Sequence, residues 1–148
     1  MKKAVTLLEL LVVIAIIGIL AAVITPALSN YLPGIHLSGS TRVLSNNLRH
    51  AQEKAITEQK QYGLKFYPSA TPAYYELVRI DDNSVESHTN LASGETLSAM
   101  NLGTPPQAIT QIAFSSDGGP TPAANVTLTI NGDSKTVNIS PAGFIKIQ

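Results

Sequence analysis

The sequence predicts an α+β protein: a long N-terminal α-helix, membrane-spanning at first and then amphipathic, packed on a small antiparallel β-sheet head. Three observations lead there. Residues 10–24 carry no charge, and the apolar stretch reaches from Leu7 to Leu28 with Glu9 as its one charged interruption. Leu37, Thr41, Leu44, Leu48, Ala51 and Ala55 then recur at spacings of four and three, which is the stripe of an amphipathic helix. After Gln61 the spacing of apolar residues becomes two, the period of strands with one buried face.

The first stretch is long enough to cross a bilayer, because a helix rising about 1.5 Å per residue needs about 20 residues to cover about 30 Å of hydrocarbon. Lys2 and Lys3 precede it with no acid before Glu9, so the positive-inside rule places the extreme N-terminus in the cytoplasm and the head on the other side. Gly18, Pro26 and the pair Pro33-Gly34 are points where helical hydrogen bonding weakens, so a bent or locally soft rod is expected. The expected organisation is a leader over residues 1–4, a membrane and assembly helix over 5–30, an amphipathic helix over 31–61 and a β-rich head over 62–148.

Small residues at the end of the amphipathic stripe suit close packing on a sheet. Arg49 and Glu53 stand four apart on the wetter face, where they would support the helix as an ion pair. Leu64 and Phe66 flank Lys65, and residues 74–80 are rich in β-formers before Asp81-Asp82-Asn83, so two strands are expected with a turn after the second. Residues 90–107 are polar and bear Gly and Pro, and read as a long irregular connection. Residues 112–114 make a short strand ending in the loop 115–120. Val126, Leu128 and Ile130 alternate with polar neighbours, Asn131-Gly132 supplies turn chemistry, and Val137 and Ile139 resume the alternation, which makes a hairpin. Residues 140–143 turn again, and residues 144–147 form a last strand.

Composition narrows the functions available. At 148 residues there is room for one small head and a membrane segment. Lys+Arg and Asp+Glu both number 10, so no global charge draws the chain to nucleic acid or acidic lipid. Cysteine is absent, which excludes a disulfide framework and a thiol nucleophile. His36, His50 and His88 are scattered and fit no metal-ligand spacing, so no metal and no cofactor is expected. Ser84 and His88 could be a nucleophile and its base, but no nucleophile elbow or placed acid accompanies them. Asp81-Asp82-Asn83 and Asp117-Gly118 offer oxygen ligands without an EF-hand pattern, and ordinary turn chemistry explains both. The chain is not expected to be an enzyme.

Glu9 is the informative residue. A carboxylate at the centre of a membrane helix costs about 2.5–3.5 kcal/mol on insertion scales, so it either sits shallow among the headgroups or forms a buried pair on assembly. The run Lys3-Ala4-Val5-Thr6-Leu7-Leu8-Glu9-Leu10-Leu11-Val12-Val13-Ile14-Ala15-Ile16-Ile17-Gly18-Ile19-Leu20-Ala21-Ala22 closely resembles the class III signal of type IV pilins and type II secretion pseudopilins. The resemblance implies cleavage by a prepilin peptidase between Ala4 and Val5, N-methylation of Val5, and Glu9 at the fifth mature position as an assembly residue. Ala4-Val5 departs from the usual Gly-Phe pair at the cut. Pro26 falls where pilins commonly carry a helix-softening proline. A rival reading, a cleaved secretory signal peptide from Met1 to about Ala27 with small residues near Ala21-Ala22, has to accommodate an overlong apolar core that contains an acid.

The head is similar to the GspH/FimT-like minor pseudopilins in Leu48-Arg49-His50-Ala51-Gln52-Glu53-Lys54-Ala55, Gln61-Tyr62-Gly63-Leu64-Lys65-Phe66, Ile112-Ala113-Phe114 and Val137-Asn138-Ile139-Ser140-Pro141-Ala142-Gly143-Phe144-Ile145. This implies a type IV pilin-like fold and a minor pseudopilin of a type II secretion filament, in the bacterial inner membrane and engaged in protein export. Its expected partners are prepilin peptidase, other pilins or pseudopilins through helix packing, and membrane lipid before assembly. Alternatives are a minor type IV pilin in pilus assembly or DNA uptake and, of another class, a secreted soluble binding domain. Some FimT-like proteins bind DNA, but loss of Lys2 and Lys3 leaves this chain slightly acidic, and Arg42 and Arg49 read as solvated helix charges, so nucleic acid is not expected as a partner.

Overall fold

The computed structural model describes residues 6–148, and of residues 25–30 the backbone alone. Helix α1 runs Leu7–Glu58. Nine strands follow: β1 Tyr62–Tyr67, β2 Tyr74–Arg79, β3 Val85–Asn90, β4 Thr96–Asn101, β5 Gln111–Phe114, β6 Pro120–Thr121, β7 Ala124–Ile130, β8 Asp133–Ile139 and β9 Ile145–Ile147. The chain divides into two compact units, Met1–Gly34 and Ile35–Gln148.

In the first unit the stretch Leu7–Ile24 is apolar and long enough to be a membrane span, and none of it is buried. The helical assignment continues through Gly18, Pro26, Pro33 and Gly34. A proline removes one helical hydrogen bond and costs about 3 kcal/mol, which marks a weak point without ending so long an element.

In the second unit the helix buries the stripe its sequence sets out. Leu37, Thr41, Leu44, Leu48, Ala51 and Ala55 are each no more than 2% exposed. Thr41 does not interrupt the stripe, because its hydroxyl donates to the Leu37 carbonyl one turn back (2.6 Å). This face belongs to one core with both sheets. The first sheet has the order β3-β2-β1-β5-β6 and the second β4-β7-β8-β9, with every pairing antiparallel. Register carries the core across the first sheet: Leu64 stands opposite Leu77 and Ile112, Phe66 opposite Tyr75, and Tyr62 opposite Phe114. Gly63 is required at its place, because a Cβ there would lie 2.1 Å from the Ile112 carbonyl oxygen. In the second sheet Val126 faces Val137 and Ala124 faces Ile139. Asn131 and Gly132, at φ 50° and 92°, form the two-residue turn that matches strand twist.

Five expectations are corrected. Residues 90–107 contain a strand, β4, whose Leu97 and Ala99 are buried while Thr96, Ser98 and Met100 face out. Its ladder is with the distant β7, a partner no local pattern reveals. β3, also unforeseen, is a largely exposed edge strand and therefore lacks apolar alternation. Arg49 does not pair with Glu53; its guanidinium donates to the Ile145 carbonyl (3.2 Å). The helix pair near that position is Lys54–Glu58 at 3.6 Å. The last strand begins at Ile145 rather than Phe144, whose ring is exposed. α1 ends at Glu58, just short of residues 59–61, with Gln59 in the left-handed region at φ 53°.

Candidate assembly site

Ala4 and Val5 lie outside the described residues. The first turn of α1 beside them is described and is capped. Thr6 precedes the helix, its side-chain oxygen accepts the backbone N–H of Glu9 (3.2 Å), and its carbonyl accepts the N–H of Leu10 (3.2 Å). The Thr-x-x-Glu spacing is that of a capping box, with Thr6 at the N-cap and Glu9 three residues on. Sequence reasoning took Glu9 for its charge and passed over Thr6, although the spacing was there to be read. Glu9 is exposed, on a segment whose described neighbours are exposed and apolar.

The second unit fixes the C-terminal end of α1 through polar contacts. Lys54 bonds to Glu86 on β3, and Tyr62 on β1 donates to Glu58. The Nε of Arg79 donates to the Tyr62 hydroxyl (3.1 Å), and its guanidinium pairs with Asp82 (3.0 Å) and Glu86 (3.5 Å). The Tyr62 hydroxyl holds the Glu58 carboxyl below its ordinary value, and the Lys54 charge adds to this. The bond to Glu86 raises Lys54. Further along the helix, Gln52 donates to both the Gly118 (2.8 Å) and Gly143 (3.0 Å) carbonyls, pinning two loops to one side chain. Sequence reasoning missed Gln52, because its partners are 66 and 91 residues away.

The residues weighed for other chemistry are engaged otherwise. Ser84 donates to Asp82 (2.7 Å), while His88 lies between Glu76 (3.3 Å) and Asn90 (3.0 Å) with its ring against Tyr74. Asp82 closes its turn by accepting from the hydroxyl and N–H of Ser84, and these bonds hold its carboxyl low. Asp117 does likewise with the Ser115 hydroxyl and the Gly119 N–H. His36 and His50 are exposed on α1.

The solved structure of the minor pseudopilin EpsH from the type II secretion system of Vibrio cholerae has the same fold. It superposes with a TM-score of 0.61 at 16% identity, covering 76% of this chain and 96% of that one. The type IV minor pilin FimU of Pseudomonas aeruginosa gives a TM-score of 0.59 at 12% identity, covering 76% and 87%. No curated protein sequence is significantly similar to the chain. The prokaryotic N-terminal methylation motif matches residues 1–25. The model of the type II transport protein GspH matches residues 40–143, most of the chain, and the chain therefore belongs to the GspH family of type II transport proteins.

Proposed function

We propose that this pseudopilin is inserted in the inner membrane with its head on the extracytoplasmic side, cut by prepilin peptidase between Ala4 and Val5, and built into a type II secretion filament. The apolar stretch Leu7–Ile24, wholly unburied and interrupted only by Glu9, carries the reading. Such a segment needs lipid before assembly and other helices after it. Its contribution is structural rather than catalytic. Cleavage would create a positive α-amine on Val5, and Glu9 of a neighbouring subunit would pair with it. Two unit charges about 4 Å apart gain about 4 kcal/mol at an effective dielectric near 20, enough to offset much of the cost of a carboxylate in hydrocarbon. A pair within one subunit is the competing arrangement. The fold shared with FimU supports a second reading, a minor type IV pilin, which the GspH match makes the weaker of the two.

Tagged wild-type protein and the Glu9→Leu variant, each recovered from membranes with its partner pseudopilins, test the proposal. The expected results are a mature wild-type chain starting at Val5, equal membrane insertion of both proteins, and at least about tenfold less partner recovered with the variant, the equivalent of about 1.4 kcal/mol. A start near Ala22 would favour the secreted domain. Equal recovery of partners would remove Glu9 from assembly.

A further inference from the structure

Between the loop joining β1 to β2 and the loop joining β3 to β4 lies an open cavity of about 550 Å³. Pro68, Ala70, Pro72, Ala73 and Leu91 supply apolar lining, and the charged lining residue is Glu95. Glu95 is 4% exposed, the one buried acid among the described residues. Its Oε1 accepts the Ser40 hydroxyl (2.9 Å), and its Oε2 accepts the Ala92 N–H (3.2 Å). Among the described residues no Lys, Arg or His forms an ion pair with it.

A carboxylate offers about four lone-pair sites, and two neutral donors leave both acceptor capacity and the charge uncompensated. Satisfying a turn and the helix would need no charge, since a neutral amide or hydroxyl could accept from the same donors. We infer that this cavity is a binding site for an alkyl-stemmed cation, the chemistry of a lysine or arginine side chain. The methylenes would lie on the proline and alanine walls, and the ammonium or guanidinium would reach Glu95. The site is independent of the filament proposal, because it lies in the second unit and involves neither Glu9 nor the apolar segment. The same chemistry could arrive on a partner polypeptide or as a free polyamine.

Calorimetric titration of the full-length chain in detergent micelles tests this with two probes. One is a capped pentapeptide, Ala-Ser-Lys-Ser-Ala, set against its norleucine analogue; the other is spermidine. Binding of the lysine peptide but not the norleucine one is expected, weakened at least about tenfold by Glu95→Gln. Spermidine binding more tightly than the peptide would assign the site to free polyamines; the reverse would assign it to a polypeptide. Should Glu95→Gln fail to fold, Ala70→Trp fills the cavity while keeping the carboxylate, and it should abolish binding. The site is overturned if neither cation binds at millimolar concentration, if both peptides bind alike, or if either folded variant binds as the wild type does.

Discussion

Between Leu7 and Ile24 large apolar side chains cover the helix all round and stay exposed, whereas between Leu37 and Ala55 all but the exposed Val43 keep to one stripe and are almost wholly buried. One continuous element contains both stretches. Helix propensity therefore does not separate them; the angular spread of apolar residues does. A stripe can be satisfied by one sheet surface, while an all-round apolar helix needs an apolar environment on every side, lipid or other helices. The two stretches should accordingly fail in different assays when altered.

The largest effect is expected in the stripe. Leu48 is fully buried, and Leu48→Ala should lower the unfolding free energy of the head by about 2–5 kcal/mol in chemical denaturation. Ile16→Ala removes a comparable amount of apolar side chain from the exposed stretch and should leave that transition within about 0.5 kcal/mol. Equal losses would mean that the two stretches do not differ as their burial indicates.

How much could be read beforehand depended on whether the partners lay nearby in sequence. The stripe from Leu37 to Ala55 and the β7–β8 hairpin follow from local periodicity and the Asn131-Gly132 turn, and both were legible. β4 was not, because its inward residues are only Leu97 and Ala99 and its ladder lies with β7. β3 was hidden for the opposite reason, an edge strand with too little burial to leave an apolar pattern. Glu95 could not be singled out, because burial of an acid by Ser40, 55 positions earlier, has no local signature. At the N-terminus the leader-like run drew attention to Glu9, while the capping spacing from Thr6 to Glu9 carried a second signal in the same residues.

That second signal gives a smaller test. Thr6→Val keeps the β-branched shape and removes the acceptor for the Glu9 N–H. Loss of an N-cap of this kind costs about 0.5–2 kcal/mol, so amide exchange at Glu9 in micelles should speed up by about two- to thirtyfold. The head should unfold at an unchanged denaturant concentration. A shift of the head's transition as large as that of Leu48→Ala would show that the first turn supports more than its own helix.

The smallest effect is electrostatic and confined to the head. Asp82, held low by the Ser84 hydroxyl and N–H, Asp117, held low by the Ser115 hydroxyl and the Gly119 N–H, and Glu58, held low by the Tyr62 hydroxyl, all have folded-state values below those of the unfolded chain. The folded head thus binds fewer protons than the unfolded one near the ordinary carboxylate range of about 4. Their contribution is complete above that range and disappears as pH falls through the depressed folded values. All three carboxyls are solvent-accessible, so screening keeps each contribution small. The head's denaturation midpoint should be level from neutral pH down to about 5 and decline below about 4. Asp117→Asn should flatten part of that decline while costing less at neutral pH than Leu48→Ala. A midpoint that rises on acidification would mean that other groups, protonated more readily in the folded head, govern its response to acid.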